Sequence, residues 1–261
     1  MKLAKHLVDK PWGRTDIPAE FGTMSGCRIG EIWYSAETEA PLPILVKWLF
    51  TSERLSIQVH PNDAQAQKRG MPSGKEECWY VVDAEPGAVI GVGTKRSLTR
   101  EELHAASLSG EIEGLMDWKP VKAGDYFYIP AGTVHAIGAG ITLVEVQQYA
   151  DITYRLYDYG RDRELHLNDG VAVSSATPYT DRRSGNAPTG AQLVDGPHFQ
   201  LWYVRDMDDV AALPTSGNIW ITPLSGRVQT DGEVAAKGDC VVTSGNAKIT
   251  FSSEAKALIA F

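Results

Sequence analysis

Short apolar runs separated by Gly, Pro, Asn and Asp make up most of the chain. Before residue 150, six runs have strand length and are rich in β-branched and aromatic residues: Ile44–Phe50, Leu55–His60, Cys78–Val82, Ala88–Val92, Tyr126–Ile129 and Ile141–Gln148. Beyond residue 198, Phe199–Val204, Ile219–Pro223, Val241–Thr243, Ala247–Phe251 and Ala257–Phe261 repeat the pattern. Helical signals are few. Asn62-Asp63 can cap a short helix over Ala64–Arg69. Thr99-Arg100-Glu101-Glu102 is a capping box that opens a helix over Arg100–Ser107, with a second short helix near Glu111–Met116. Ser174–Gln192 is rich in Ser, Thr, Pro, Gly, Asp and Arg and reads as a linker or long surface loop. Many short strands with regular turn signals predict an all-β sandwich or barrel.

Two strands place polar groups on one face. In Leu55-Ser56-Ile57-Gln58-Val59-His60, the apolar residues share one side, and Ser56, Gln58 and His60 share the other. That polar side either lines a cavity or faces solvent. In Lys75-Glu76-Glu77-Cys78-Trp79-Tyr80-Val81, Lys75, Glu77, Trp79 and Val81 share a face. A carboxylate beside Trp79 is costly to bury without a cation, which a metal or Lys75 can provide; the alternative is a surface Lys–Glu pair. Lys47 interrupts an apolar strand, so it either snorkels to a rim or enters a cavity. Gly124 to His135 fits G-x5-P-x-G-x2-H without a gap: a turn, a strand, a Pro-Gly bend and a histidine on the next strand.

Composition narrows the classes. The 261 residues are 43% hydrophobic and 22% charged, ordinary for one large or two small globular domains. Three well-separated cysteines, Cys27, Cys78 and Cys240, form no CxxC pair, which argues against a thiolate zinc site and suits a reducing cytoplasm. No apolar h-region follows Met1 and no apolar stretch reaches membrane-spanning length, so neither a signal peptide nor a membrane partner is expected. A net charge of −8 speaks against nucleic acid, while an anionic small substrate needs only local positive charge.

The Gly124–His135 spacing resembles the second motif of the cupin superfamily, in which the histidine binds a metal inside a β-barrel; the usual Asn four residues later is Ala139 here. The first cupin motif is altered, with Gln58-Val59-His60 and a distant Glu77. Together with Lys75-x-Glu77, this resembles the type I mannose-6-phosphate isomerases in a short bacterial-type form. The likeness extends through Pro11-Trp12-Gly13, Gly30-Glu31-Ile32-Trp33, Leu42 to Lys47 and Gln147 to Asp158, over roughly residues 10 to 165. It implies Gln58, His60, Glu77 and His135 as ligands of Zn2+ or another divalent metal. It further implies Arg155, Lys75 and Asp151 as catalytic residues. Lys47 and Ser56 are candidates for binding substrate. Without the family, Arg155 reads more readily as a surface partner of Asp158, and Asp151 as a turn residue.

The expected fold is therefore all-β dominated, with two tandem cupin-type (jelly-roll) barrels. Residues 1–173 would form the metal-binding catalytic barrel, with a helical insert near 97–118. Residues 174–192 would be the linker, and residues 193–261 a smaller, metal-free barrel. A faint repeat supports the second barrel: Val121 to Tyr128 resembles Ala235 to Val242, each with Gly-Asp before an apolar strand. The expected activity is interconversion of mannose 6-phosphate and fructose 6-phosphate by a cytoplasmic monomer or homodimer. Isomerisation of another hexose, phosphorylated or free, and a non-catalytic sugar- or metal-binding role are the alternatives.

Overall fold

The computed structural model describes residues 1–36, 42–187 and 191–261; part of the expected linker, residues 188–190, lies outside the described residues. Twelve strands precede residue 187: β1 (Ala4–Arg14), β2 (Ile29–Ser35), β3 (Ile44–Phe50), β4 (Ile57–Val59), β5 (Glu77–Ala84), β6 (Val89–Thr94), β7 (Met116–Pro120), β8 (Asp125–Ile129), β9 (His135–Ile137), β10 (Ile141–Gln148), β11 (Tyr154–Tyr157) and β12 (Ser184–Asn186). They form a seven-stranded sheet, β1-β2-β3-β10-β5-β8-β12, and a five-stranded sheet, β11-β4-β9-β6-β7. The later strands are β13 (Ala191–Asp195), β14 (Gln200–Val204), β15 (Asn218–Ser225), β16 (Arg227–Thr230), β17 (Glu233–Ala236), β18 (Val241–Ser244), β19 (Ile249–Phe251) and β20 (Lys256–Ala260). They form a second five-stranded sheet, β13-β14-β20-β15-β18, and a three-stranded sheet, β17-β16-β19.

The helices are α1 (Asp63–Gln67), α2 (Arg100–Ser109), α3 (Ile112–Leu115), α4 (Leu167–Val173) and α5 (Met207–Ala211). Asn62 and Thr99 cap α1 and α2 with reciprocal capping boxes, as their sequences predict. Helix α4 was not anticipated, because Gly170 breaks its pattern. That glycine lets the helix lie against Leu156, whose side chain would sit 2.7 Å from an added Cβ.

Four apolar clusters separate the layers. Helices α2, α3 and α4 cover the outer face of the first five-stranded sheet, where Leu103, Ile112 and Val171 meet Ile57, Val59 and Leu156. Between that sheet and the seven-stranded one, Ile90 and Ile137 face Leu49, Trp79 and Leu143. The other face of the seven-stranded sheet presents Val46, Trp48, Phe50 and Tyr80 to Leu201, Tyr203, Trp220 and Leu258 of the later strands. Ile219, Ile221 and Ile259 then pack on Val228 and Ile249. Strand β3 is consequently buried on both faces along its whole length. That is why it reads as a continuous apolar run rather than an alternating one.

The sheets pack face to face, as in a jelly roll: among the described residues, the hydrogen bonding closes none of the four sheets into a ring. Strand β1 contains Pro11-Trp12-Gly13, one of the blocks that carry the family resemblance. It carries charges and Pro11, which suit an edge strand that exposes one side to water. Within the stretch that reads as a loop, β12 pairs with β8 and extends the seven-stranded sheet.

Candidate metal centre and cavity

His60, Glu77 and His135 converge between the first two sheets, with their ligand atoms within 4.8 Å of one another. Sheet register brings them together: Gln58 pairs with His135 across β4 and β9, and Arg155 on β11 pairs with Gln58 from the other side. The Lys75–Glu77 segment reaches His60 because Gly74 packs directly on backbone. A Cβ there would stand 2.5 Å from the Pro61 carbonyl oxygen, and Lys75 N–H donates to that same oxygen at 3.0 Å.

The three groups are sealed from water, with His60 and His135 at 1% exposure and Glu77 at 0%. His60 Nδ1 lies 2.8 Å from the Ile152 carbonyl and His135 Nδ1 lies 2.8 Å from the Thr133 carbonyl. A carbonyl only accepts, so both Nδ1 atoms carry protons and both Nε2 atoms present lone pairs. Those lone pairs point at Glu77, with His60 Nε2 3.5 Å from Oε2 and His135 Nε2 3.4 Å from Oε1. His60 Nε2 and both Glu77 oxygens have no hydrogen-bond partner. Lys75 Nζ stands 2.8 Å from Oε2 as a charge contact whose alignment falls short of a hydrogen bond.

Burial, reinforced by Lys75, pushes the His60 imidazole down to about 3. Burial lowers the His135 imidazole as well. Burial alone would raise the Glu77 carboxyl; Lys75 and the imidazoles override it and hold the group well below the usual range. Two neutral imidazoles and a carboxylate with inward lone pairs and no shared proton are a donor set for a divalent cation. Gln58 adjoins the set, with Nε2 3.3 Å from His135 Nε2 and its Oε1 accepting from Ser56 Oγ at 3.0 Å. Half a turn of the amide would bring Oε1 to the cluster. This nitrogen and oxygen set, without thiolate, suits zinc.

A cavity of about 320 Å³ opens beside the cluster. Its walls hold every other residue singled out from sequence: Lys47, Ser56, Lys75, Asp151 and Arg155, with Gln58 at the boundary. Lys47 is buried, donates to Glu145 Oε1 at 3.0 Å and lies 4.5 Å from the Trp33 ring centroid. Arg155 does not pair with Asp158. Its Nη1 donates to the Glu164 carbonyl at 2.6 Å, its backbone N–H donates to His166 Nδ1 at 3.2 Å, and its Nε has no partner. Burial would lower the Lys75 ammonium, but Glu145 and Glu77 raise it, so neighbouring carboxylates hold it as a cation.

Several wall residues were missed: Lys10, Glu31, Trp33, Glu145 and Arg163. Glu145 accepts from Lys47 and, at 3.0 Å, from Trp79 Nε1. Burial first, then Glu77, raises its carboxyl against Lys47 and Lys75. A signal existed, since Glu145 interrupts an apolar strand just as Lys47 does. The lining carries five cations against three carboxylates, an excess of positive charge inside a chain of net charge −8.

The face-to-face sheets, the histidines on neighbouring strands and the buried glutamate together describe a cupin-like fold with a candidate metal site. No family model matches the sequence. The chain is 38% identical over 197 residues to a mannose-6-phosphate isomerase of Streptococcus mutans, a match covering 71% of this chain and 61% of that protein. It is 39% identical over 176 residues to mannose-6-phosphate isomerase ManA of Bacillus subtilis, covering 62% and 56%. The chain thus spans less than two thirds of the length of these curated relatives. The solved mannose 6-phosphate isomerase from Bacillus subtilis superposes on all of this chain and 98% of its own, with TM-score 0.81 and 25% identity. The chain is a relative of the type I mannose-6-phosphate isomerases and shares their cupin-like fold. Among the described residues, no helix is long and apolar enough to cross a membrane.

Proposed function

We propose that this chain interconverts mannose 6-phosphate and fructose 6-phosphate as a zinc-dependent aldose–ketose isomerase. The observation that carries the reading is the buried His60–Glu77–His135 cluster, with Lys75 and Arg155 at the wall of the cavity beside it. Gln58, His60, Glu77 and His135 would hold the ion, and its chemistry when bound is to polarise the sugar oxygens at C1 and C2. Moving a proton between those carbons requires groups that hold or carry it and a positive charge near the enediolate oxygens. Arg155 keeps its charge at any working pH and supplies that field. Lys75 is held as an ammonium by Glu77 and Glu145, so it donates to a developing oxyanion. Glu145 and Asp151 are carboxylates lining the same cavity, able to accept a carbon-bound proton. Lys47 and Ser56 contact the sugar from the wall. Residues 1–173 make up the catalytic unit, and 193–261 its metal-free support.

Retention of Lys75 and Arg155 beside the ligands favours an enzyme over a sugar-binding protein, since binding alone needs neither. The test is metal analysis and turnover on one sample, with mannose 6-phosphate and free mannose side by side. One divalent ion per chain, activity lost on chelation and preference for the phosphorylated sugar are expected. Arg155→Ala should lower kcat/KM by on the order of 10²–10³, the usual effect of removing an oxyanion-stabilising group, with metal content unchanged. Full activity in exhaustively demetallated protein would refute the metal's role.

A further inference from the structure

We propose that Arg163 holds the phosphate of the sugar at the mouth of the cavity, and that Asp158 is the residue that positions it. This assignment rests on the isomerase reading. Five cationic side chains line the cavity, and the three lysines among them are each matched with carboxylates of the cavity or the cluster. Lys10 lies 3.2 Å from Glu31, Lys47 lies 3.0 Å from Glu145, and Lys75 contacts Glu77 and Glu145. Arg155 has no ion-pair partner among the described residues, and Arg163 pairs with one carboxylate, Asp158, that it shares with Arg161, so these two are the candidates to meet a dianion. Arg163 stands at the more open end, its side chain 24% exposed against 4% for Lys47 and 5% for Lys75.

Asp158 follows β11 directly and is almost wholly buried, at 2% exposure. Tyr159 and Gly160 then take left-handed conformations, with φ of 54° and 77°, and turn the chain so that two arginines return to one carboxylate. Arg161 donates to Oδ1 through Nη2 at 2.9 Å. Arg163 donates through Nε to Oδ2 at 2.6 Å and through Nη2 to Oδ1 at 2.6 Å. That two-point grip fixes the guanidinium plane and leaves Nη1 without a partner among the described residues. One carboxylate thus faces two guanidiniums, and Arg155 has no ion-pair partner among the described residues. Asp162 and Glu164 on the same loop are exposed, and Arg161 also lies 3.6 Å from Glu53; none of these three carboxylates forms an ion pair with Arg163 among the described residues, so its free Nη1 on the cavity wall is what an entering anion meets. Asp151, the carboxylate lining the same cavity without an ion-pair partner, is exposed and screened by water.

The experiment uses metal-loaded protein with Arg163→Gln, Asp158→Asn and the double variant. It measures KM and kcat on mannose 6-phosphate and, by calorimetry, the binding of inorganic phosphate. Arg163→Gln should raise KM and weaken phosphate binding by on the order of tenfold or more, with a smaller change in kcat. Asp158→Asn should move both in the same direction by less. The double variant should match Arg163→Gln alone, because a positioning residue has nothing left to position. Native phosphate binding and KM in Arg163→Gln would overturn the proposal. A full additional loss from Asp158→Asn in the double variant would reduce Asp158 to a structural role. Should Asp158→Asn fail to fold, Arg163→Lys decides. Lysine keeps the charge but lacks the planar fork that lies along both carboxylate oxygens and fixes the direction of the remaining N–H, so its KM should also rise; a native KM would refute positioning. A native chain that binds phosphate through Arg163 yet turns over no hexose phosphate would refute the isomerase reading and leave this site standing.

Discussion

At the scale of single residues, the centre is an arrangement that water cannot relieve. Glu77 is fully buried, its two oxygens without a hydrogen bond and with Lys75 as their charge contact, facing two imidazoles whose protons are committed to the Ile152 and Thr133 carbonyls. Lys75 offsets part of the cost of burying this carboxylate, and a divalent cation among the inward lone pairs would offset the rest. Glu77→Ala should therefore weaken metal binding by more than about a hundredfold, beyond the loss typical of outer-shell changes. Competitive chelator titration measures it, and unchanged affinity would remove Glu77 from the ligand set. His135 and Gln58-x-His60 were legible because their signals are local: a Pro-Gly bend at fixed spacing and a clean two-residue alternation. Glu145 and Arg163 were not. The partner that explains Glu145 is Lys47, 98 positions away, and local pattern carries no information about that pairing. Arg163 reads as a loop charge until Asp158 is seen to be buried.

At the scale of elements, the seven-stranded sheet ends in the short strand β12, held by a few polar contacts. Arg183 binds Asp181 through Nε at 3.0 Å and Nη2 at 2.6 Å, and its guanidinium lies 3.9 Å from the Tyr128 ring centroid. The side-chain hydrogen bond from Arg183 holds the Asp181 carboxyl below its ordinary value. A depressed folded-state pKa means stability present above the unfolded value, near 3.9, and lost as pH falls through the folded one. The ion pair is partly exposed, so its worth is about 1 kcal/mol after screening. Hydrogen exchange of Ser184–Asn186 should accelerate relative to β8 between pH 6 and pH 3. Asp181→Asn should reproduce that loss at pH 6; equal protection in variant and native protein would contradict it. Sequence could not place this strand, since Ser-Gly-Asn has the composition of a turn and pairs only because β8 offers an open edge.

At the scale of the molecule, the seam between the seven-stranded sheet and the later five-stranded sheet is the largest apolar layer. It joins Trp48, Phe50 and Tyr80 to Leu201, Trp220 and Leu258. The apolar runs announced strands on both sides, but which faces meet depends on register and was not readable from either half alone. A core shared across the two sets of strands should unfold as one unit. Leu258→Ala, which empties a site of 1% exposure, should cost about 2–5 kcal/mol. Metal release and loss of circular dichroism should move down together in temperature. A variant that releases its metal at the native temperature, after the later strands have melted, would show two independent units instead.

Strand β3 gives the last consequence, one of insertion and deletion rather than substitution. Lys47 and Trp48 are neighbours in the chain, yet Lys47 faces the charged cavity while Trp48 fills the apolar seam. Because successive strand residues alternate sides, removing or adding one residue between Ile44 and Phe50 would exchange the contents of the two compartments. The ammonium would enter the seam and the indole the cavity. The seven positions of β3 can therefore change in kind but not in number.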